Sequence, residues 1–154
     1  MRRVQPLVAL LALLGMLVVP RSALAKYTST LAGQAITLNG DGEPDTLSIG
    51  VDLDGPNAGR LRHNRFIPDS PAFADPYDFD SALAGSQMVT AGPGVTMAIN
   101  AGGGNDSIVI SSFAGHSGVV VNIDGGLGND SIRLVAPGST PAQVNVAGGS
   151  GDDT

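Results

Sequence analysis

Val121-Asn122-Ile123-Asp124-Gly125-Gly126-Leu127-Gly128-Asn129-Asp130-Ser131-Ile132-Arg133-Leu134 consists of two short alternating segments around a turn of the form G-G-x-G-N-D. Val121 and Ile123 precede the turn and Ile132 and Leu134 follow it. Each pair is spaced by two, the period at which strand side chains reach the same face. The same pattern recurs at residues 97–110, again at 144–154, and in degenerate form at 36–49. A repeated strand, turn and strand predicts a solenoid. Asp106, Asp130 and Asp153 stand 24 and 23 residues apart. The expected fold is therefore all-β: a parallel β-solenoid, β-roll or β-helix in type, with about 23 residues per coil, preceded by a signal peptide and broken by an irregular insertion.

From this stretch the chain divides into four parts. Residues 94–154 are the regular solenoid, in which Met97, Ile99, Ile108 and Ile110 of one coil match Val121, Ile123, Ile132 and Leu134 of the next. Four apolar side chains cannot offset the entropy of ordering a whole coil, so no coil stands alone and stacking must supply the rest. Residues 26–50 read as a degenerate first coil or N-terminal cap. Asp45 aligns with Asp130, but Glu43 and Pro44 stand where Gly128 and Asn129 do. Residues 51–93 are an insertion too long for a bare loop. It is expected to hold one or two strands, a hairpin turn at residues 52–57 and an excursion packed through Phe66, Phe73 and Phe79.

Residues 1–25 have the layout of a cleaved secretory signal: Arg2 and Arg3, an apolar run at 7–19, and Ala23-Leu24-Ala25 as the cleavage site. That run is shorter than the roughly 20 residues a membrane span requires, so export with cleavage after Ala25 is expected, without stable membrane insertion. Cleavage removes Arg2, Arg3 and Arg21 and no acid, leaving 5 basic and 14 acidic residues, net −9. Such a charge makes nucleic acid an unsuitable partner. Thirteen of the acids are Asp, a bias towards turns and hard-cation ligation. The chain has no cysteine, so an exported domain of this size needs a staple other than disulfides, and a metal is one candidate.

The turns supply the chemistry. Gly126 and Gly128 can take positive φ and so coil the backbone tightly enough to turn carbonyls inwards, and Gly102, Gly104, Gly149 and Gly151 hold the same places. In stacked coils about 4.8 Å apart, Asp106, Asp130 and Asp153 would form a ladder with Asn105, Asn129 and Asp152 beside it. Carboxylates at that spacing repel by roughly 0.8 kcal/mol in water and roughly 3 kcal/mol at an effective dielectric of 20, so a cation is expected between rungs. An all-oxygen set of carbonyls and carboxylates suits Ca²⁺ better than Mg²⁺. The competing reading is that Gly-Asn-Asp turns are only turns; three copies with Asp in one phase favour the cation.

Gly-Gly-Leu-Gly-Asn-Asp-Ser-Ile-Arg at residues 125–133 resembles the nonapeptide G-G-x-G-x-D-x-U-x of RTX, or haemolysin-type calcium-binding, repeats at every fixed position. Residues 148–154 match as far as they extend, and 101–109 match with Ala101 in the first place. The resemblance implies calcium held between adjacent coils by turn carbonyls and by Asp106, Asp130 and Asp153. It covers residues 94–154 well, 36–49 poorly and the middle not at all. Classical repeats run in tandem every nine residues with turns on two sides, whereas this chain has one such turn per coil. Classical members also leave by a C-terminal signal, not an N-terminal leader.

Other motifs fail on their residues. Asp52-x-Asp54-Gly55 begins like an EF-hand, but Pro56 and Asn57 break the loop and His63 replaces the closing Glu. Gly115-His116-Ser117-Gly118 is followed by Val119, so no nucleophile elbow forms. His63 and His116 read as solvated loop histidines, and no acid/base pair suggests an enzyme. Arg60, Arg62 and Arg65 could meet an anionic cell-surface glycan, although pairing with Asp75, Asp78 and Asp80 is the simpler expectation. The sequence thus predicts a secreted, non-enzymatic calcium-binding protein. The alternative is the leading module of a larger adhesin or hydrolase whose active domain, or further coils, lies beyond residue 154.

Overall fold

A computed structural model describes residues 27–64, 75–111, 113–135 and 143–154. The expected leader, Phe66, Phe73 and Arg65 lie outside them. Nine strands are present among the described residues: β1 (Thr28–Ala32), β2 (Ala35–Asn39), β3 (Thr46–Val51), β4 (Leu61–His63), β5 (Thr96–Asn100), β6 (Ser107–Ile110), β7 (Val120–Asp124), β8 (Ser131–Leu134) and β9 (Gln143–Ala147). The one helical element described is a 3₁₀ turn at Gly55–Asn57.

The strands form two mixed sheets, one in the order β1-β2-β5-β7-β9 and the other β4-β3-β6-β8. This corrects the expected parallel β-solenoid. β1 pairs antiparallel with β2, and β4 pairs antiparallel with β3, so neither sheet is a uniform stack of parallel coils. The physical reason is local. Gly33, at φ 65°, reverses the chain between β1 and β2 in a tight hairpin. Between β3 and β4, Gly59 N–H donates to the Asp52 carbonyl at 2.7 Å and Asp52 N–H to the Arg60 carbonyl at 2.9 Å, returning the strand on itself. Residues that read as part of a degenerate first coil or N-terminal cap, and as part of an insertion, therefore cover one edge of each sheet.

Inside each sheet the pairing is parallel and in register. Met97 lies beside Ile36 and Val121, and Ile99 beside Leu38 and Ile123. On the other sheet Ile108 lies between Leu47 and Ile132. These inward residues close the core, with Phe79, Phe113 and Leu61 fully buried beside them. Burial falls towards the last strands, where Leu134 is 46% and Val146 51% exposed. The core is thus deepest beneath the first three turns.

The excursion at residues 75–91 is fastened rather than loose. Phe79 is buried, the Ser29 hydroxyl donates to its carbonyl at 2.7 Å, and Leu31 N–H donates to Asp80. His63, expected in solvent, is buried at 3% exposure; its Nε2 meets the Asp78 carbonyl at 2.6 Å and its ring stands edge-on to Phe79. Arg60 donates to Thr90 Oγ1 at 2.7 Å. Asp75 and Asp80 accept backbone N–H groups of Tyr77 and Ala82, as turn-forming carboxylates do.

Candidate metal centre

Three turns link the two sheets, at residues 40–45, 101–106 and 125–130, and a fourth, at residues 148–153, follows β9 and stacks on them. The glycines at second and fourth place in the last three all have positive φ, among them Gly126 at 92° and Gly128 at 119°. A Cβ on Gly126 would overlap the Gly102 carbonyl, and one on Gly128 the Gly104 carbonyl. These sites therefore demand glycine twice over, for conformation and for close approach of successive turns. The second-place carbonyls point along the stack: Gly102 O accepts Leu127 N–H at 2.9 Å, and Gly126 O accepts Ser150 N–H at 2.8 Å.

Two files of side chains reinforce this stacking. In the inner file each Asp reaches back one turn. Asp106 Oδ1 accepts Asp45 N–H at 2.7 Å, Asp130 Oδ1 accepts Asp106 N–H at 2.8 Å, and Asp153 Oδ1 accepts Asp130 N–H at 2.9 Å. In the outer, exposed file each Asn reaches forward. Asn105 Oδ1 accepts Asn129 N–H at 2.9 Å, and Asn129 Oδ1 accepts Asp152 N–H at 3.0 Å. The inner and outer groups expected to surround a cation together are thereby separated. Asp106 and Asp130 are buried, whereas Asn105, Asn129 and Asp152 lie at the surface.

The second carboxylate oxygens of Asp106 and Asp130 are buried and have no hydrogen-bond partner. An ionised group held this way costs several kcal/mol unless a proton or a cation meets it. Asp106 shows the strain in its pKa, which is pushed up to about 6 chiefly by desolvation. The Asp45 N–H opposes the shift, and the charges of Asp130, Asp45 and Asp41 add to it.

The first place of three of the turns, a glycine where the turn at 101–106 has Ala101, adds a second feature. A Cβ on Gly125 would run into the Gly148 carbonyl and lie 2.5 Å from Asp130 Oδ2. The absent side chain lets a carbonyl of one turn and a carboxylate oxygen of its neighbour close in on the same spot. Gly148 has Asp153 Oδ2 in the same place, and Gly40 has Asp45 Oδ2 with the Ala101 carbonyl. Among the described residues no group of three or more His, Cys, Asp or Glu side chains converges on one point. Any ion here would take most of its ligands from backbone carbonyls. A hard, oxygen-seeking cation fits that donor set, and a thiolate- or imidazole-seeking metal does not.

No family model, curated protein or solved structure matches this chain. The likeness to haemolysin-type repeats consequently rests on the nonapeptide residues themselves, and what the site does has to be argued from its atoms. Sequence reasoning assigned no role to Asp45 and Asp41. The available signal was the frame that set Asp45 on Asp130, masked by Glu43 and Pro44 in the turn between.

Proposed function

We propose that this chain is an exported, non-enzymatic calcium-binding protein whose folding is coupled to Ca²⁺ lodged between stacked glycine-aspartate turns. The observation that carries the reading is Asp130. One of its carboxylate oxygens fixes the preceding turn, and the other is buried without a hydrogen-bond partner, close against Gly125 near the Gly148 carbonyl. A motif that only built turns would leave no reason for a buried, unmatched anion in successive layers.

In this reading Asp130 and Asp153 supply charge, and the carbonyls at first, second and fourth place supply neutral oxygens. Gly126, Gly128, Gly149 and Gly151 allow the turns to approach closely enough to share an ion. Asn105, Asn129 and Asp152 set the register of the turns from outside. In the low-calcium cytoplasm the inner file repels itself and the chain stays loose. Outside the cell each ion adds roughly 1.4 kcal/mol, for a Kd near about 10⁻⁴ M and about millimolar calcium. Thermal unfolding followed by circular dichroism in EDTA and in calcium tests the proposal. A melting temperature indifferent to calcium sinks it.

A further inference from the structure

The outer face of the sheet β4-β3-β6-β8 is set apart by its charge. The chain carries 14 acidic residues against 8 basic ones, yet the outward positions of these four strands, which alternate with the inward ones, hold no acid and two arginines, Arg62 and Arg133. Among the described residues the Arg62 guanidinium makes no salt bridge and no hydrogen bond, so the expected pairing with Asp75, Asp78 or Asp80 is not made. Asp52, just past the end of β3, gives its Oδ2 to the Tyr77 hydroxyl at 2.5 Å instead.

Arg62 stands at a cavity of about 130 Å³ lined also by Ser48, Gly50, His63, Asn64 and Ser111. The sequence makes this hollow. Gly50 pairs with Arg62 of β4 on one side and lies beside Ser111 on the other, where Ser111 N–H donates to the Ile49 carbonyl at 2.7 Å. A Cβ on Gly50 would come within 3.1 Å of Ser111 Cβ. Glycine weakens the interior of a strand and often marks a place that a ligand approaches closely. Asn64 is a fixed wall: its Oδ1 accepts Ser48 N–H at 2.7 Å and its Nδ2 donates to the Thr46 carbonyl at 3.2 Å, which leaves one amide hydrogen over. The hydroxyls of Ser48 and Ser111 have no hydrogen-bond partner among the described residues.

These groups select a class of ligand. A guanidinium meets a carboxylate through two parallel N–H bonds, and two hydroxyls with an amide hydrogen beside it suit a ligand rich in hydroxyl groups. No aliphatic side chain lines the cavity, so an alkyl acid would leave its polar walls unpaired. Its volume is below the roughly 300 Å³ at which sites for drug-sized ligands begin, so it takes a small polar head group. We propose that this cavity binds a sugar acid, with the carboxylate on Arg62 and ring hydroxyls on Ser48, Ser111 and Asn64. None of these residues belongs to the glycine-aspartate turns, so the site stands or falls independently of the calcium reading.

The test is a titration of the full chain with sodium glucuronate in calcium buffer, followed by amide NMR shifts. Shifts should gather at Ser48, Gly50, Asn64 and Ser111 and saturate at about millimolar ligand, the affinity open to a molecule of that size. Glucose, which lacks the carboxylate, should bind about tenfold or more weakly. Arg62→Gln, on an exposed side chain, should weaken glucuronate by about tenfold or more, as should Gly50→Ala, which keeps every polar group and fills the hollow. Circular dichroism checks that both keep the parent's strand spectrum. Arg62→Lys, which retains the charge without the fork, should fall between, and Arg133→Gln, outside the cavity, should change affinity less than about twofold. Shifts scattered over the protein, glucose bound as well as glucuronate, or full affinity in Arg62→Gln would overturn the site. Acetate or sulfate bound as tightly as glucuronate would overturn the sugar acid by showing a plain anion contact.

Discussion

Asp130→Asn separates a cation site from a purely structural ladder, because the two readings give opposite signs in the absence of calcium. Asn keeps an Oδ1 acceptor for Asp106 N–H, so the 2.8 Å bond to the preceding turn survives. Its amide replaces the oxygen that has no partner and lies beside the Gly148 carbonyl, a ready acceptor. Without calcium the substitution removes a buried charge that neighbouring carboxylates repel by roughly 0.8 to 3 kcal/mol, so the variant should melt at or above the parent's temperature. With calcium at about ten times Kd, the parent gains about 1.4 kcal/mol from each ion and the variant loses the share that Asp130 holds. For a chain of this size that is a fall of about 4–7 °C. Thermal melts of both proteins in EDTA and in millimolar calcium should therefore cross over. A variant that melts lower than the parent by the same margin in both buffers would show that the carboxylate is a ladder element and nothing more.

Three further outcomes follow from the same geometry. Gly128→Ala should lose about 2–4 kcal/mol in denaturant unfolding, from its φ of 119° and the collision with the Gly104 carbonyl, whereas Gly42→Ala, with open space around it, should stay within about 0.5 kcal/mol. In calcium-free buffer, Asp106 binds its proton more tightly folded than unfolded, so its contribution to stability is full below about pH 4 and is lost as pH rises from 3.8 to about 6. Allowing for solvent screening the loss is about 1–2 kcal/mol, and Asp106→Asn should remove it from a plot of melting temperature against pH. Phe79→Ala should cost about 3–5 kcal/mol and open residues 75–91 to limited proteolysis, because that ring, stacked edge-on with His63, anchors the excursion.

The parallel interior was legible because period-two alternation at Met97 and Ile99, Val121 and Ile123, and Ile132 and Leu134 specifies both face and register. The mixed character of the sheets was not. β1 is Thr-Ser-Thr-Leu-Ala, mostly polar because Thr28 and Thr30 face solvent, and its one fully buried side chain is Ser29, which packs by hydrogen bonding to Phe79. A strand recruited by a hairpin and by polar contacts carries little apolar signal. β4 is three residues long, too short for any period to show. At the site, the glycines and the Asp phase were readable, but the direction of each side chain was not. Asp106 belongs to the layer it shares with residues 40–45, a pairing 61 residues distant that local pattern cannot reveal.

The two side-chain files on the turns point opposite ways, Asp towards the preceding layer and Asn towards the following one. A layer displaced along the strand direction would stretch one set of contacts on its inner side and the other on its outer side together. Neighbouring layers are in this sense latched in both directions, like a zip with teeth on each tape. Shear along the strands is resisted from whichever end it is applied, and the turns should be the last part of the protein to come apart under load.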